Sequence, residues 1–381
     1  MTKDLLMNGG PSCFTPKNAV LGVALLLMLA LPFAGGAQTK LLGGDISLLP
    51  SYEEKGTQYR DFDGRVVEPL SFFRQMGWNA IRVRLFVDPQ YAPKKHQEEG
   101  VCQDLDYALR LGKRVKEAGF RLLLDIHYSD YWADPSKQTI PHQWKDTRSE
   151  VLPDSVYQYT RRVLEKFKSE GAAPDLIQVG NEISYGMLWP IGRVNPLKSG
   201  NWDVLCRLIA HGTRACREIC PEAKIVIHTE RAGDWKTTKS YYLHLKQYQV
   251  DYDVIGLSYY PMWHGSIRNL GKTLQRLSRL FPDKEVMVVE TAAYYSHEND
   301  KWATSPEQYG EYYPISPEGQ EMFTKELMAE LSQHPNVTGV FWWFPEENAH
   351  GNDLLPCWIN RGLFDNHTGK ALPALKAFSG F

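Results

Sequence analysis

Apolar, β-rich runs recur along the chain, each closed by a turn or by polar residues. They read KLLGGDIS (Lys40–Ser47), AIRVRLF (Ala80–Phe86), RLLLDIHY (Arg121–Tyr128), LIQVGNEI (Leu176–Ile183), KIVIHTE (Lys224–Glu230), VIGLSYYP (Val254–Pro261), VMVVETAA (Val286–Ala293) and GVFWWFP (Gly339–Pro345). Near-continuous hydrophobic runs are the mark of strands buried on both faces, as in parallel sheets. Between them the period changes to that of helices, as in DLDYALRLGKRVKEA (Asp104–Ala118) and across Ser155–Glu170. Gly77, Gly119 and Gly171 stand where such helices give way to the next strand, which suits a left-handed helix stop. Eight strand–helix alternations predict an α/β fold, a single (β/α)8 barrel. The rival, a doubly wound open sheet, usually carries a glycine-rich phosphate turn after its first strand. Gly43-Gly44-Asp45 is not G-x-G-x-x-G, and GxxxxGK[ST] does not occur.

The segment ahead of the first strand follows another rule. Ala19–Leu31 reads AVLGVALLLMLAL, shorter than the ~20 residues of a membrane span. Lys3 and Lys17 precede it, and Ala34-Gly35-Gly36-Ala37 follows, ahead of polar Gln38-Thr39-Lys40. That layout predicts a secretory signal over 1–37, cleaved near Ala37, and one catalytic domain over 38–381. The expected location is therefore secreted: periplasmic, cell-surface or extracellular. Downstream of it lie Cys102, Cys206, Cys216, Cys220 and Cys357, an odd set that leaves at least one thiol unpaired and fixes no pairing.

Charge excludes one class of partner. With 43 basic and 45 acidic residues the net charge is −2, without the basic excess of a nucleic-acid binder. The 11 Trp and 20 Tyr offer flat faces with polar handles, suited to a groove as well as to a core.

Active sites of such barrels lie at the C-terminal ends of the strands. Polar residues occupy all eight of those ends here: Asp45 and Ser47; Arg82 and Arg84; Asp125, His127 and Tyr128; Asn181 and Glu182; His228 and Glu230; Tyr259 and Tyr260, with Trp263 behind; Glu290; and Trp342 and Trp343. Burying such groups is costly unless they are paired. Glu182 and Glu290 end strands four and seven, which face each other across the mouth of an eight-strand ring. A carboxyl pair across a pocket is the requirement of glycoside hydrolysis, one giving a proton and the other acting as base or nucleophile. Asn181 can bond a sugar hydroxyl or cap the strand end. Trp343 and Trp263 can each carry a sugar or cap the barrel.

The ordered series GGDISLLP (43–50), NAIRVRLFVDP (79–89), LLLDIHYSDYWADP (122–135), IQVGNEI (177–183), DVIGLSYYPMWHG (253–265), VVETAAY (288–294) and RGLFDNHTGKALPAL (361–375) resembles glycoside hydrolase family 53, the arabinogalactan endo-β-1,4-galactanases of clan A. It spans nearly the whole chain after the leader. The resemblance implies a retaining double displacement on β-1,4-galactan, with Glu182 as proton donor and base and Glu290 as nucleophile. It implies substrate contacts from Arg84, His127, Asn181, Tyr259 or Tyr260, Trp263 and Trp343. Arg84 and a strand-six tyrosine are expected to hold Glu290 ionised. The polysaccharide or its oligosaccharides are the expected partner, bound by a monomer without nucleic acid or membrane. Mannan, glucan or xylan are the substrates of other clan A enzymes with the same pair, and a binding protein without catalysis is the reading from another class. No metal or other cofactor is expected. Calcium stays open, because some bacterial relatives bind it in the strand-seven loop; here His297, Glu298, Asn299 and Asp300 offer ligands at a different spacing, where calcium prefers six to eight oxygens.

Overall fold

A computed structural model of the protein describes residues 40–297, 311–350 and 360–379. The segment 1–37 expected as a secretory signal, Cys357, and Glu298, Asn299 and Asp300 lie outside the described residues. Eight parallel strands close into a ring: β1 (Leu41–Asp45), β2 (Ala80–Leu85), β3 (Arg121–Ile126), β4 (Leu176–Val179), β5 (Lys224–Thr229), β6 (Val254–Tyr259), β7 (Glu285–Thr291) and β8 (Val337–Trp343). β1 pairs with β2 on one side and β8 on the other. Helices cover the outside: α1 (Pro69–Gln75), α2 (Leu105–Glu117), α3 (Leu152–Ser169), α4 (Trp202–Ile219), α5 (Trp235–Gln247), α6 (Ile267–Leu280), α7 (Pro317–Ser332) and α8 (Pro373–Ala377). This is the expected (β/α)8 barrel.

Local chemistry sets the helix limits. Asp104 caps α2 by accepting from the Tyr107 N–H, and Ser316 caps α7 by accepting from that of Gly319. Gly77, Gly119 and Gly171 hold φ of 86°, 80° and 74°, a conformation that a Cβ would disfavour.

The ring's interior has two chemically different storeys. The lower is apolar, built from Leu41, Ala80, Leu123, Leu176, Val226, Val254, Met287, Val289 and Phe341. Two residues further along several strands the same inward face turns polar, with Arg82, Asp125, Gln178 and His228 all buried, and on β6 buried Ser258 follows four residues after Val254. β7 departs from alternation. Its pairing with β6 shifts so that Leu257 faces Val288 while Ser258 faces Glu290. This bulge lets Val289 and then Glu290 both point inward, where strict alternation sends one of them out. Among the described residues Cys102, Cys206, Cys216 and Cys220 are free thiols, and no helix there is long and apolar enough to cross a membrane.

Candidate active site

The strand ends open onto a cleft of about 690 Å³, which Glu182, Glu290, Arg82, Arg84, His127, Asn181, Tyr260, Trp263 and Trp343 help to line. Three non-glycine residues just beyond strands take left-handed backbone, Tyr128 (φ 50°), Glu182 (φ 50°) and Phe344 (φ 58°), and of these Glu182 lines the cleft. Each such residue costs on the order of 1–3 kcal/mol, a cost that clusters at functional sites. At Glu182 the unusual turn, just after Gly180, lets two consecutive side chains, Asn181 and Glu182, both serve the cleft.

The floor is organised by Arg82. Its Nη1 donates to Asp45 Oδ2 at 2.8 Å, and its Nη2 meets Asp125 Oδ2 at 2.8 Å, Asn181 Oδ1 at 2.9 Å and Glu290 Oε1 at 2.9 Å. Burial opposes ionisation of Asp125, but Arg82 and His127 outweigh it and hold this carboxyl down at about 2. His127 Nδ1 accepts from the Ala133 N–H at 3.1 Å, which leaves the ring proton on Nε2, 2.9 Å from Asp125 Oδ2.

The two glutamates differ in their support. Glu290 is gripped from both sides, by Arg82 on Oε1 and by the Tyr260 hydroxyl, which donates to Oε2 at 3.0 Å. Glu182 Oε1 accepts from Ser258 Oγ at 2.6 Å. Burial raises both carboxyls. It takes Glu182 well above the ordinary range, reinforced by the negative charges of Glu290 and Glu230. Glu290 is pushed up only to about 7, because the Arg82 charge and the Tyr260 hydrogen bond work against burial. The pair can therefore hold a proton on Glu182 while Glu290 is an anion, two states that a single reaction can use in opposite senses.

Tyr260 and Tyr259 separate cleanly. Tyr260 lies on the inward face with Ser258. Tyr259 is not in the cleft: alternation turns it outward, its ring stacks on Phe323 and its hydroxyl donates to Gly265 O at 2.8 Å. The expected hold of Arg84 on Glu290 is also corrected. Arg84 sits between the rings of Trp132 and Phe344, at 4.5 and 4.3 Å from their centroids, and 3.6 Å from Asp45; Arg82, two residues earlier, makes the contact. Asn181 gives one amide hydrogen to Ala133 O at 2.8 Å and faces the cleft with the rest of the group. Trp343 lines the cleft, lies flat on Phe344 at 3.6 Å and has the Arg361 guanidinium 5.0 Å from its ring. Trp263 is 51% exposed at the mouth, edge-on to Tyr260. Among the described residues no three His, Cys, Asp or Glu side chains gather to hold a metal.

Residues 41–378 match the family model described as glycosyl hydrolase family 53. The chain belongs to glycosyl hydrolase family 53. It is 32% identical over 310 residues to a Bacillus subtilis protein named endo-beta-1,4-galactanase, covering 80% of this chain and 69% of that one. Among solved structures, an Ignisphaera aggregans family 53 catalytic domain superposes with a TM-score of 0.79 at 32% identity, covering 89% of this chain and 95% of that one. A fungal β-1,4-galactanase gives a TM-score of 0.75 at 30% identity, covering 90% and 99%.

Several cleft residues of this family 53 protein escaped the list of candidates. Ser258, buried beneath the cleft, sits two before Tyr260 and shares its inward face; Glu230, noted at the end of strand five without a role, also lines the cleft. Trp132, Arg231 and Arg361 lie on connecting segments, where no periodicity marks a direction.

Proposed function

We propose that the protein cleaves internal β-1,4-galactosidic bonds of galactan and type I arabinogalactan by a retaining double displacement. The observation that carries this reading is the unequal hold on two carboxyls of one cleft, one kept protonated by burial and the other gripped by Arg82 and Tyr260. Glu182 gives its proton to the glycosidic oxygen as the anomeric carbon gains positive character. Glu290 attacks that carbon from the opposite face and forms a glycosyl–enzyme ester. Glu182, now a carboxylate, takes a proton from water, and the water oxygen displaces Glu290. The acid's high affinity for its proton rests partly on the negative charge of its partner, so forming the ester lowers it as the role changes to base. Asn181 and His127 face the bound ring, and Trp343 and Trp263 offer aromatic faces to successive sugars. Family membership and the galactanase names of the relatives support galactan over mannan, glucan or xylan. The apolar segment Ala19–Leu31 with its small-residue exit supports export, fitting an enzyme whose substrate is a polymer outside the cell.

The test is a product profile on β-1,4-galactan beside mannan, cellulose and xylan, with proton NMR of the first-formed ends. Oligosaccharides from galactan with a β-anomer first are expected. Glu182→Gln and Glu290→Gln each lose at least about a hundredfold while folding normally. An initial α-anomer refutes the double displacement, and equal activity on another glycan refutes the substrate.

A further inference from the structure

Beneath Glu182 lies a short hydrogen-bonded chain that the mechanism above does not use. His228 is fully buried on β5 and Ser258 on β6. His228 Nε2 is 2.8 Å from Ser258 Oγ, and Ser258 Oγ is 2.6 Å from Glu182 Oε1. At the other ring nitrogen, Nδ1 faces the backbone N–H of Glu182 at 3.4 Å, Gln178 Nε2 at 3.1 Å and Asn181 Oδ1 at 3.0 Å.

The direction of each bond follows from counting donors. A carbonyl-type oxygen has two lone pairs. Asn181 Oδ1 is approached by Arg82 Nη2 at 2.9 Å and by Gln178 Nε2 at 3.1 Å, the latter also giving a hydrogen to Asp125 Oδ1 at 2.5 Å. Nδ1 faces two donors, the Glu182 N–H, whose hydrogen the backbone aims at it, and Gln178 Nε2, against the single acceptor Asn181 Oδ1, which other donors also approach, so Nδ1 accepts. Burial, together with the nearby Arg82 charge, holds His228 well below its usual range, so the imidazole is neutral and has one N–H. That N–H is on Nε2 and points at Ser258 Oγ. With its oxygen occupied by this donor, the serine has its own hydrogen directed to Glu182 Oε1. The chain runs one way, from His228 Nε2–H through Ser258 O–H to Glu182 Oε1.

The geometry points to Ser258, oriented by His228, as a positioning residue that confines the acid proton of Glu182 to Oε2, the oxygen left open to the cleft. A proton on Oε1 would meet the serine hydrogen head-on. Among the described residues no hydrogen bond is made to Oε2, and Glu182 lines the cleft. The arrangement serves both halves of the reaction unchanged. The Oε2 proton passes to the glycosidic oxygen as the carbon–oxygen bond breaks with its electron pair. The attacking water later returns a proton to Oε2. Ser258 donates to Oε1 throughout, and no proton moves along the relay. This inference rests on Glu182 being the acid/base proposed above.

The test measures dependence on the leaving group. Aryl β-1,4-galactobiosides spanning a wide range of phenol acidity are compared with galactan in wild type, Ser258→Ala, Ser258→Cys and Glu182→Ala. A dinitrophenolate leaves without a proton; phenol and a sugar do not. Ser258→Ala is expected to lose on the order of 10- to 100-fold in kcat/KM on galactan and the phenyl glycoside, and under about threefold on the dinitrophenyl glycoside. Ser258→Cys, near in size and a weaker donor, is expected to fall between, so a failure of the alanine variant to fold leaves the comparison intact. An equal loss on every leaving group in the two serine variants, or no loss on galactan, overturns the proposal. Glu182→Ala separates the two levels. If it shows the steep leaving-group dependence and the serine variants do not, only the role of Ser258 falls; if it shows none, the acid assignment falls as well.

Discussion

Replacing Tyr260 with phenylalanine removes one atom from the cleft and leaves the ring in place. The lost hydroxyl donates to Glu290 Oε2 at 3.0 Å, while Arg82 keeps its 2.9 Å contact with Oε1. A buried hydrogen bond to a charged acceptor is worth about 1.5–3 kcal/mol. Only the ionised carboxyl uses it fully, and one pH unit corresponds to 1.36 kcal/mol. Glu290, already raised to about 7 by burial, is therefore expected to move up by a further ~1–2 units. The double displacement requires Glu290 as an anion, so the acid limb of kcat/KM moves to higher pH by that amount. The assay is reducing-end release from galactan well below KM, across pH at constant ionic strength. Tyr259→Phe is the control, since that hydroxyl bonds Gly265 O away from the cleft. An acid limb in Tyr260→Phe that stays put or moves down, in a variant with unchanged melting temperature, refutes the reasoning.

Glu290→Gln tests the same carboxyl through stability. Its folded value of about 7 stands above the ordinary 4.5, so ionising it costs the fold nothing below pH 4.5 and up to about 3 kcal/mol above pH 7. The amide mimics the neutral form, and urea unfolding is expected to show a gain at pH 8 that vanishes by pH 4.5; a gain independent of pH contradicts this. Trp343→Ala is expected to lower kcat/KM on galactan by about 1–3 kcal/mol of lost stacking, beyond what its change in melting temperature explains, and an unchanged kcat/KM in the folded variant removes the platform.

The strands were legible because parallel strands buried on both faces are apolar runs, and every one of the eight falls on such a run. The glycine stops at 77, 119 and 171 were legible because their φ values exclude most other residues. Which of two like residues faces the cleft was less so. Tyr259 and Tyr260 differ only in the phase of alternation, and that phase is set by where β6 enters the ring. Arg82 and Arg84 share a face, and depth in the barrel, invisible in sequence, decides which one reaches Glu290. The bulge at Val289–Glu290 breaks the very alternation a sequence reading relies on. Ser258 gave no signal of its own, since a serine in a strand is unremarkable until its partners are in place.

The supports of the two carboxyls cross the chain's midpoint in opposite directions. Glu182 belongs to the first four strands, yet the groups beneath it, Ser258 and His228, come from the last four. Glu290 belongs to the last four, yet its cation, Arg82, comes from the first four. Each half-barrel thus lacks one support of its own glutamate and carries one for the other's, although Tyr260 holds Glu290 from within its own half. Cutting the chain between β4 and β5 would leave two fragments, one with Glu182 parted from Ser258 and His228, the other with Glu290 parted from Arg82. Activity recovered on mixing them would report re-formed seams between the halves, making this reaction a sensitive gauge of barrel closure. The same reciprocity limits exchange of half-barrels between related enzymes: a foreign half must bring both a glutamate and the right keeper for the other.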